Sequence, residues 1–218
     1  MKDPETLRAL YNERFKNPVN KWGCEDIDSC LKVVNKVSKW LKLKQDFKYK
    51  VLDVGCATGY YTKAFSLLGM NAKGIDYSDT AIEKATKLHT GCSFIHMDGF
   101  NPSFSEKFDI IFCKGFSGAN THDIDYVANW SNKYIELLNP DSFFVFSYLS
   151  NFTGIEEEDE IVNWSMNEIK RYSQLVNAEY YGFYKYYALG IISRGYNIFL
   201  KILGKNKKLS YYLIFKKK

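Results

Sequence analysis

The sequence predicts an α/β protein in which helices cover both faces of a parallel sheet. Strand-like and helix-like segments alternate five times between residues 49 and 149, and short connections join them. This alternation is typical of parallel strands linked by crossover helices. The chain has 218 residues, of which 46% are apolar and 25% are charged, as expected for one globular domain with a sizeable core.

Six short apolar segments are the predicted strands: Tyr49–Val54, Ala72–Asp76, Ser93–Met97, Phe108–Cys113, Ser142–Leu149 and Leu209–Phe215. The predicted helices are residues 4–16, 25–44, Tyr60–Leu68, 79–88 with Ser78 as its cap, Asp123–Leu138, Ile155–Ala178 and 189–203. The aromatic segment Tyr180–Tyr187 is interpreted either as core packing or as one wall of a pocket.

The distribution of charge argues against a nucleic-acid-binding protein. The net charge is +5, but residues 194–218 carry eight basic and no acidic side chains, so the first 193 residues carry −3. A basic surface along the whole body, which nucleic-acid binding favours, is therefore not predicted. The basic tail contains apolar residues at 198–203, and we expect at most a weak contact between it and an anionic membrane surface.

The cysteines and histidines do not form a metal or disulfide pattern. Five cysteines lie at positions 24, 30, 56, 92 and 113 without a C-x-x-C pair, and no two of the three histidines are four residues apart. We therefore expect neither a disulfide framework nor a bound metal. The sequence also has no apolar run long enough to span a membrane and no signal peptide, which predicts a cytoplasmic protein.

The strongest functional signal is the segment from Val51 to Gly59, which reads V-L-D-V-G-C-A-T-G. It is a buried strand, then a loop of small residues, then the start of a helix. Small residues let a ligand approach the backbone closely, and a helix start offers free N–H donors. The spacing is G-x-x-x-G rather than the G-x-G-x-x-G that binds a pyrophosphate, so it favours a ligand with a ribose and a carboxylate.

Two carboxylates follow the next two predicted strands. Asp76 ends the second strand and Asp98 comes directly after the third. The carboxyl ends of parallel strands meet at one edge of the sheet, where open α/β sheets bind ligands. Asp76 is therefore expected to accept hydrogen bonds from ribose hydroxyls, and Asp98 from an exocyclic amine of adenine.

Together these residues resemble the class I S-adenosylmethionine-dependent methyltransferases over residues 47–150. The first-strand motif of that family matches Asp53, Gly55 and Gly59, with Ala57 where many members have glycine. The resemblance implies a Rossmann-like, seven-stranded, mostly parallel sheet with an antiparallel last strand, here Leu209–Phe215, and helices on both faces. It implies one domain: an N-terminal helical lid (1–45), a cofactor-binding core (46–150) and an extension (151–218) that shapes the acceptor site.

The same resemblance implies that S-adenosylmethionine is the methyl donor and S-adenosylhomocysteine the product. It assigns Asp76 to the ribose, places Tyr77 and Asp98 beside the adenine, and puts the end of the fourth strand near the methyl group. The residues expected to contact the cofactor are Tyr11, Asp53, Gly55, Cys56, Ala57, Gly59, Asp76, Tyr77, Met97, Asp98, Gly99 and Cys113.

The acceptor is expected to be a small molecule or a sugar, with a hydroxyl preferred over an amine. A sugar hydroxyl attacks poorly unless a base removes its proton. His122 is the candidate base, oriented by Asp123, although Asp123 is equally suited to cap the following helix. The fourth strand is not followed by the Asn/Asp-Pro-Pro-aromatic motif of amino-directed nucleic-acid methyltransferases.

Three other functions stay open at this point. The basic tail is compatible with methyl transfer to RNA or protein. A nicotinamide-dependent oxidoreductase is disfavoured by the glycine spacing. The third alternative is a protein that binds the cofactor without turnover, since Asp53, Asp76 and Asp98 argue for binding but not for catalysis. The sequence is compatible with either a monomer or a homodimer.

Overall fold

A computed structural model of the protein describes residues 4–16, 26–44, 46–154, 161–186 and 209–218. Its strands are β1 (Lys50–Val54), β2 (Asn71–Asp76), β3 (Ser93–His96), β4 (Phe108–Lys114), β5 (Leu138–Ser150), β6 (Glu179–Tyr186) and β7 (Leu209–Lys216). Its helices are α1 (Pro4–Lys16), α2 (Ile27–Trp40), α3 (Tyr60–Leu67), α4 (Asp79–Leu88), α5 (Ile124–Glu136) and α6 (Met166–Leu175).

The strands form one seven-stranded sheet in the order β3-β2-β1-β4-β5-β7-β6. Neighbouring strands from β3 to β5 pair in parallel, whereas β7 is antiparallel to both β5 and β6. This confirms the predicted fold class. The strand order reverses at β1, because β2 lies on one side of it and β4 on the other. The carboxyl ends of β1 and β4 therefore border the crevice in which such sheets bind ligands.

Side chains of each central strand alternate between two buried clusters, one on each face of the sheet. Ile110 and Phe112 of β4 lie in the cluster beneath α2 and α3, whereas Ile111 and Cys113 lie in the cluster beneath α5 and α6. A strand buried on both faces must be apolar at successive positions, which is why the run Ile-Ile-Phe-Cys predicts a central strand. The two clusters hold β1 and β4 rigidly, and with them the ends of these strands.

One strand was not predicted as such. The aromatic segment Tyr180–Tyr187 corresponds to β6, an edge strand paired with β7. Its tyrosines and phenylalanine have high strand propensity, and they pack on both faces. Tyr184 stacks on Trp40 with ring centroids 4.5 Å apart, while Phe183 faces Tyr211 at 6.0 Å. Tyr181, Phe183 and Tyr184 thus pack against the two buried clusters, as the core-packing interpretation predicts, whereas Tyr180 is 48% exposed.

The predicted helix over Ile155–Ala178 is too long. Residues 161–165 are not helical, and α6 begins at Met166, where Ser165 and Glu168 form a reciprocal capping box. The helix ends at Leu175 because Val176 adopts an extended conformation. The first six residues of the prediction, the helix predicted at 189–203 and the basic segment before Leu209 lie outside the described residues. None of the described helices is long and apolar enough to cross a membrane.

Candidate active site

The loop between β1 and α3 folds back across the end of β2. The backbone amides of Gly55 and Cys56 both donate to the carbonyl oxygen of Ile75, each at 2.9 Å. Gly55, Ala57 and Gly59 all have positive φ angles, of 70°, 49° and 83°. Glycine adopts this left-handed region without strain, whereas alanine rarely does. Ala57 therefore takes up a conformation that a glycine would reach more easily, and nothing in the structure explains the alanine at this position.

Asp76 holds this loop in place. Its Oδ2 accepts a hydrogen bond from the Ala57 amide and its Oδ1 accepts one from the Ser78 amide, both at 2.9 Å. Burial raises the pKa of the carboxyl, and the hydrogen bonds from Ser78 and Ala57 oppose that shift. Each oxygen keeps a second lone pair, and Asp76 lines a cavity. The carboxylate can therefore accept ligand hydroxyls while it fixes the loop.

Asp53 lies beneath the loop and not in a cavity wall. Its side chain is buried, and its Oδ2 accepts a hydrogen bond from the Thr62 hydroxyl at 2.7 Å. The Thr62 amide donates to the same carboxyl. Because Thr62 lies in the first turn of α3, Asp53 satisfies donors at the start of that helix. Burial raises the pKa of Asp53 to about 7.

Replacing Asp53 by asparagine is expected to stabilise the fold at pH 8 by on the order of a few kcal/mol. The pKa of Asp53 is about 7 in the folded protein, above its unfolded value of about 3.9. Since the folded state binds the proton more tightly, the wild type loses stability as the pH rises from about 4 through about 7. Urea unfolding of both proteins at pH 4 and pH 8 tests this. A difference that does not change with pH, or an equal effect of exposed Asp141→Asn, would contradict it.

The loop after β3 forms the opposite side of the crevice. Asp98 accepts hydrogen bonds from the Phe100 amide at 2.8 Å and from the Asn101 side chain at 2.9 Å. The carbonyl oxygen of Gly99 accepts two more, from the Trp130 indole and the Tyr134 hydroxyl, both at 2.7 Å. These bonds anchor the loop to α5. A β-carbon at Gly99 would lie 2.9 Å from the Phe116 ring, so a larger residue would displace this wall.

Two adjoining cavities lie between these loops. The smaller, of about 110 Å³, is lined by Tyr11, Phe15, Gly55, Ala57, Ile75, Asp76, Tyr77, Gly99, Lys114, Gly115, Phe116 and Ser117. The larger, of about 530 Å³, is lined by Tyr11, Tyr77, Asp98, Gly99, Phe100, Asn101, Phe116, Ser117, Gly118, Asn120, Thr121, Asp123 and Tyr126. Five residues border both cavities, which makes them two parts of one crevice. Small-molecule sites commonly occupy about 300–1,000 Å³.

Helix α1 covers the crevice. The Tyr11 hydroxyl donates to Ser117 Oγ at 2.6 Å, which joins the helix to the loop after β4. On the other side, Arg8 Nε donates to Asp79 Oδ2 at 2.9 Å, and Asn12 accepts from the Ser78 hydroxyl at 2.6 Å. The helix thus bridges the loops that follow β2 and β4, and Tyr11 lies in the wall of both cavities. Residues 17–25 of the predicted lid lie outside the described residues.

Several predicted cofactor residues lie behind the crevice and do not line it. Cys56 and Cys113 are buried, and burial raises the pKa of both thiols well above the ordinary value, which makes them poor nucleophiles. Met97 packs against the cluster beneath α5. Gly59 faces Phe94 and Ala85, so its role in this structure is helix packing.

Replacing Gly59 by alanine is expected to lower the free energy of unfolding by about 3 kcal/mol, against about 1 kcal/mol for Gly69→Ala. The two glycines have nearly equal φ angles, 83° and 81°, so the strain of a left-handed alanine is the same. An added β-carbon at Gly59 would lie 2.6 Å from the Phe94 ring, whereas nothing lies within 4 Å at Gly69. Equal costs for the two variants in urea unfolding would contradict the packing role.

His122 contacts Glu168 and not Asp123. Its Nδ1 makes a short contact with Glu168 Oε1, while Asp123 accepts from the Tyr126 amide at 3.0 Å and caps α5. The prediction that Asp123 orients His122 is therefore wrong. Partial burial raises the pKa of Glu168, but hydrogen bonds from Ser165 and His122 outweigh it and hold the pKa below its usual value.

The segment that carries His122 is tied to the chain after β5. The Val162 amide donates to Asn120 Oδ1 at 2.7 Å, and the Trp164 indole donates to the Thr121 carbonyl oxygen at 2.8 Å. His122 itself does not line either cavity, although Asn120, Thr121 and Asp123 line the larger one. Its imidazole thus lies beside the crevice on a segment held by these two hydrogen bonds and by its own contact with Glu168. Among the described residues, no group of three histidine, cysteine or acidic side chains is arranged to hold a metal ion.

The aromatic walls of the crevice were not predicted from the sequence. Phe116 lines both cavities and stacks on Trp130 with centroids 4.6 Å apart and planes 6° from parallel. Phe100, at 5.1 Å from Phe116, and Tyr126 extend this wall. The available signal was the position of Phe116 directly after Gly115, the glycine that follows β4. Its orientation depends on α5, which sequence spacing does not reveal.

Comparisons with known proteins agree with this geometry. Residues 45–213 match a family model described as a methyltransferase domain. A search of the curated proteins finds no match to this sequence.

Three solved structures illustrate the similarity of fold. The magnesium protoporphyrin IX methyltransferase from Synechocystis PCC 6803, crystallised with SAM, has a TM-score of 0.66 at 13% identity, covering 100% of this chain and 98% of that one. A S-adenosylmethionine-dependent methyltransferase from Clostridium acetobutylicum ATCC 824 gives 0.63 at 13%, covering 98% of each. The [4+2]-cyclase SpnF gives 0.70 at 13%, covering 99% and 97%.

Proposed function

The chain belongs to the family of methyltransferase domains, and we propose that it transfers the methyl group of S-adenosylmethionine to a hydroxyl of a small molecule or sugar. The observation that carries the proposal is the pair of carboxylates, Asp76 and Asp98, facing one crevice beside the Gly55–Gly59 loop. Membership of the family also decides against the nicotinamide-dependent oxidoreductase.

The residues that line the crevice suit S-adenosylmethionine. Asp76 has acceptor lone pairs for the two ribose hydroxyls, and Asp98 has them for the adenine amine. The absence of a side chain at Gly55 leaves the backbone accessible to a ligand. A β-carbon at this position would lie 3.2 Å from the Phe116 ring and would occupy the space between them. Tyr77 and Phe116 offer ring faces for the adenine. Tyr11 offers a ring face near a sulfonium.

The bound cofactor supplies an electrophilic methyl group on a sulfonium, which a nucleophile can displace in line. The protein then mainly aligns the two reactants, and alignment alone accounts for up to about 7–11 kcal/mol of the barrier. Helix α1 and the aromatic walls border the crevice. A hydroxyl acceptor in addition needs a base, because it must lose its proton as the new bond forms.

His122 is the base that we propose, with Glu168 as the residue that positions it. The contact between Nδ1 of the imidazole and Glu168 directs Nε2 away from Glu168. The other oxygen of Glu168 accepts from the Ser165 amide at 2.7 Å and from its hydroxyl at 2.6 Å, so the carboxylate is fixed. A carboxylate on one ring nitrogen stabilises the protonated ring that forms when the other nitrogen takes up a proton.

The lining of the larger cavity supports a small acceptor over RNA. Among the described residues that line it, five are aromatic, two are carboxylates and none is lysine, arginine or histidine. Phosphate groups would meet like charge there without a basic partner. Stacking faces instead suit planar groups and the apolar faces of sugars. A steeply salt-dependent gel shift with RNA would favour the alternative of a macromolecular acceptor.

The test of the proposed function is thermal unfolding with S-adenosylhomocysteine, S-adenosylmethionine or NAD added separately. A ligand at 100 times its Kd stabilises by about 2.7 kcal/mol, which raises Tm by about 5–10 °C in a chain of this size. We expect a rise with the two adenosyl-sulfur ligands and none with NAD. A rise with NAD alone would overturn the proposal. A screen of phenols and sugars for S-adenosylhomocysteine release then identifies the acceptor.

A further inference from the structure

We propose that Lys114 binds the carboxylate in the methionine part of S-adenosylmethionine. Lys114 is the last residue of β4, and it lines the smaller of the two cavities. Among the described residues that line either cavity, it is the only one with a positively charged side chain. The inference rests on the proposed function, because it takes S-adenosylmethionine as the ligand of this crevice.

The direction of the Lys114 side chain follows from its place in β4. Alternate residues of a strand point to the same face, and Ile110 and Phe112 lie in the cluster beneath α2 and α3. Lys114 continues that series, and its Nζ lies 5.8 Å from the centre of the Tyr61 ring, in the first turn of α3. Tyr61 in turn packs on Phe112, with ring centroids 5.4 Å apart. The ammonium group therefore lies over an aromatic ring, beside the loop that joins β1 to α3.

The smaller cavity has opposite charges on its two sides. Asp76 ends β2 and Lys114 ends β4, and β1 lies between these two strands in the sheet. Gly55, which follows β1, lines the same cavity. Two strands separated by a third are about 10 Å apart. A ligand that contacts both side chains therefore needs hydrogen-bond donors for the carboxylate and, some distance away, an anion for the ammonium.

S-adenosylmethionine has this distribution of groups. Its ribose hydroxyls can donate to Asp76, and its methionine part carries a carboxylate at the end of a flexible chain that spans a distance of this size. A hydrogen bond between an ammonium and a carboxylate is charge-assisted and roughly twice as strong as a neutral one. Adenosine and 5′-methylthioadenosine share the ribose but lack the carboxylate. Lys114 would therefore make the site selective for the complete cofactor over these fragments.

The charge of the cofactor makes the contact more specific. The sulfonium is itself a cation, so an ammonium in the same cavity repels it unless a nearby anion compensates. The carboxylate of the methionine part is that anion. Lys114 should therefore favour binding only of ligands that have the carboxylate, and should disfavour a sulfonium ligand that lacks it.

The experiment is calorimetric titration of the wild type and Lys114→Met with S-adenosylhomocysteine and with its decarboxylated analogue. In the wild type, we expect loss of the carboxylate to weaken binding about 10- to 100-fold, the range for a hydrogen bond between charged groups. Lys114→Met should weaken binding of S-adenosylhomocysteine by a similar factor and should bind the two ligands equally. Lys87→Met, which changes an exposed lysine on α4, is the control and should behave as the wild type.

Decarboxylated S-adenosylmethionine provides a test of opposite sign. It keeps the sulfonium and lacks the carboxylate, so Lys114→Met should bind it more tightly than the wild type does. A structural defect caused by the substitution would instead weaken binding of every ligand. If Lys114→Met folds poorly, Lys114→Gln takes its place in both comparisons.

Two results would overturn the assignment of Lys114 alone. One is a wild type that binds S-adenosylhomocysteine and its decarboxylated analogue equally, and the other is an undiminished preference for the carboxylate in the Lys114 variants. Failure of the wild type to bind S-adenosylhomocysteine at all would contradict the proposed function, and the inference with it.

Discussion

Replacing His122 by asparagine is expected to lower kcat by about 100- to 10,000-fold, the usual contribution of a general base. The Kd for S-adenosylhomocysteine should not change, because His122 is separate from Asp76 and the loop after β1, which we propose hold the cofactor. The wild type should lose activity on acidification, as the imidazole takes up a proton before reaction, and the asparagine variant should lack that pH dependence. The measurement is S-adenosylhomocysteine release with a hydroxyl acceptor between pH 5 and 9.

Variants of the neighbouring carboxylate separate a catalytic role from a structural one. Glu168→Gln keeps the size of the side chain and removes its charge, so we expect a loss of about tenfold in kcat, of the size that partner groups contribute. Ser165→Ala removes the two capping hydrogen bonds of the Ser165 hydroxyl but leaves Glu168 on His122. A similar loss of kcat in Glu168→Gln and Ser165→Ala would contradict the role of His122 as the base. So would a His122→Asn variant as active as the wild type.

Replacing Asp76 by alanine is expected to weaken binding of S-adenosylhomocysteine by about 100-fold or more, since hydrogen bonds to a charged group contribute about 1.5–3 kcal/mol each. The substitution removes the acceptor for the ribose hydroxyls. It also removes the 2.9 Å bond from the Ala57 amide, which holds the loop. Calorimetric titration gives the affinity. Asp141→Asn, which removes an exposed carboxylate paired with Lys216, should bind as tightly as the wild type.

An analogue without the ribose 2′-hydroxyl isolates the two effects of Asp76. If the carboxylate binds that hydroxyl, the analogue should bind the wild type more weakly than S-adenosylhomocysteine does. In the Asp76→Ala protein the two ligands should bind equally, because the partner is gone. If the missing 2′-hydroxyl weakens binding equally in both proteins, Asp76 does not bind the ribose, and its role is only to hold the loop.

The sequence predicts the cofactor half of this protein well because there the local pattern and the final environment coincide. The run Ile110-Ile111-Phe112 predicts a strand buried on both faces, and β4 is one. Asp76 and Asp98 are found at the same edge because parallel strands bring their carboxyl ends together. In these positions, sequence spacing and topology alone determine where a residue lies.

The acceptor side depends on contacts between distant segments, which spacing does not encode. His122 and Asp123 are adjacent, yet their partners are Glu168 and the Tyr126 amide, because α6 packs against α5. Similarly, the spacing of the aromatic residues in β6 does not distinguish an edge strand from the wall of a pocket. Gly59 belongs to the family motif, but its contact with Phe94 depends on how α3 lies against β3.

The position of β7 has a consequence for the order in which the protein can fold during synthesis. β7 follows β6 along the chain, yet it lies inside the sheet, between β5 and β6. The parallel pairs from β3 to β5 can all form once residue 150 has left the ribosome, whereas the other edge of β5 still awaits β7. β6 emerges before β7 and has no neighbour to pair with until Leu209–Lys216 is translated. An aromatic strand therefore stays unpaired until β7 is translated, and an unpaired strand edge of this kind is prone to aggregate.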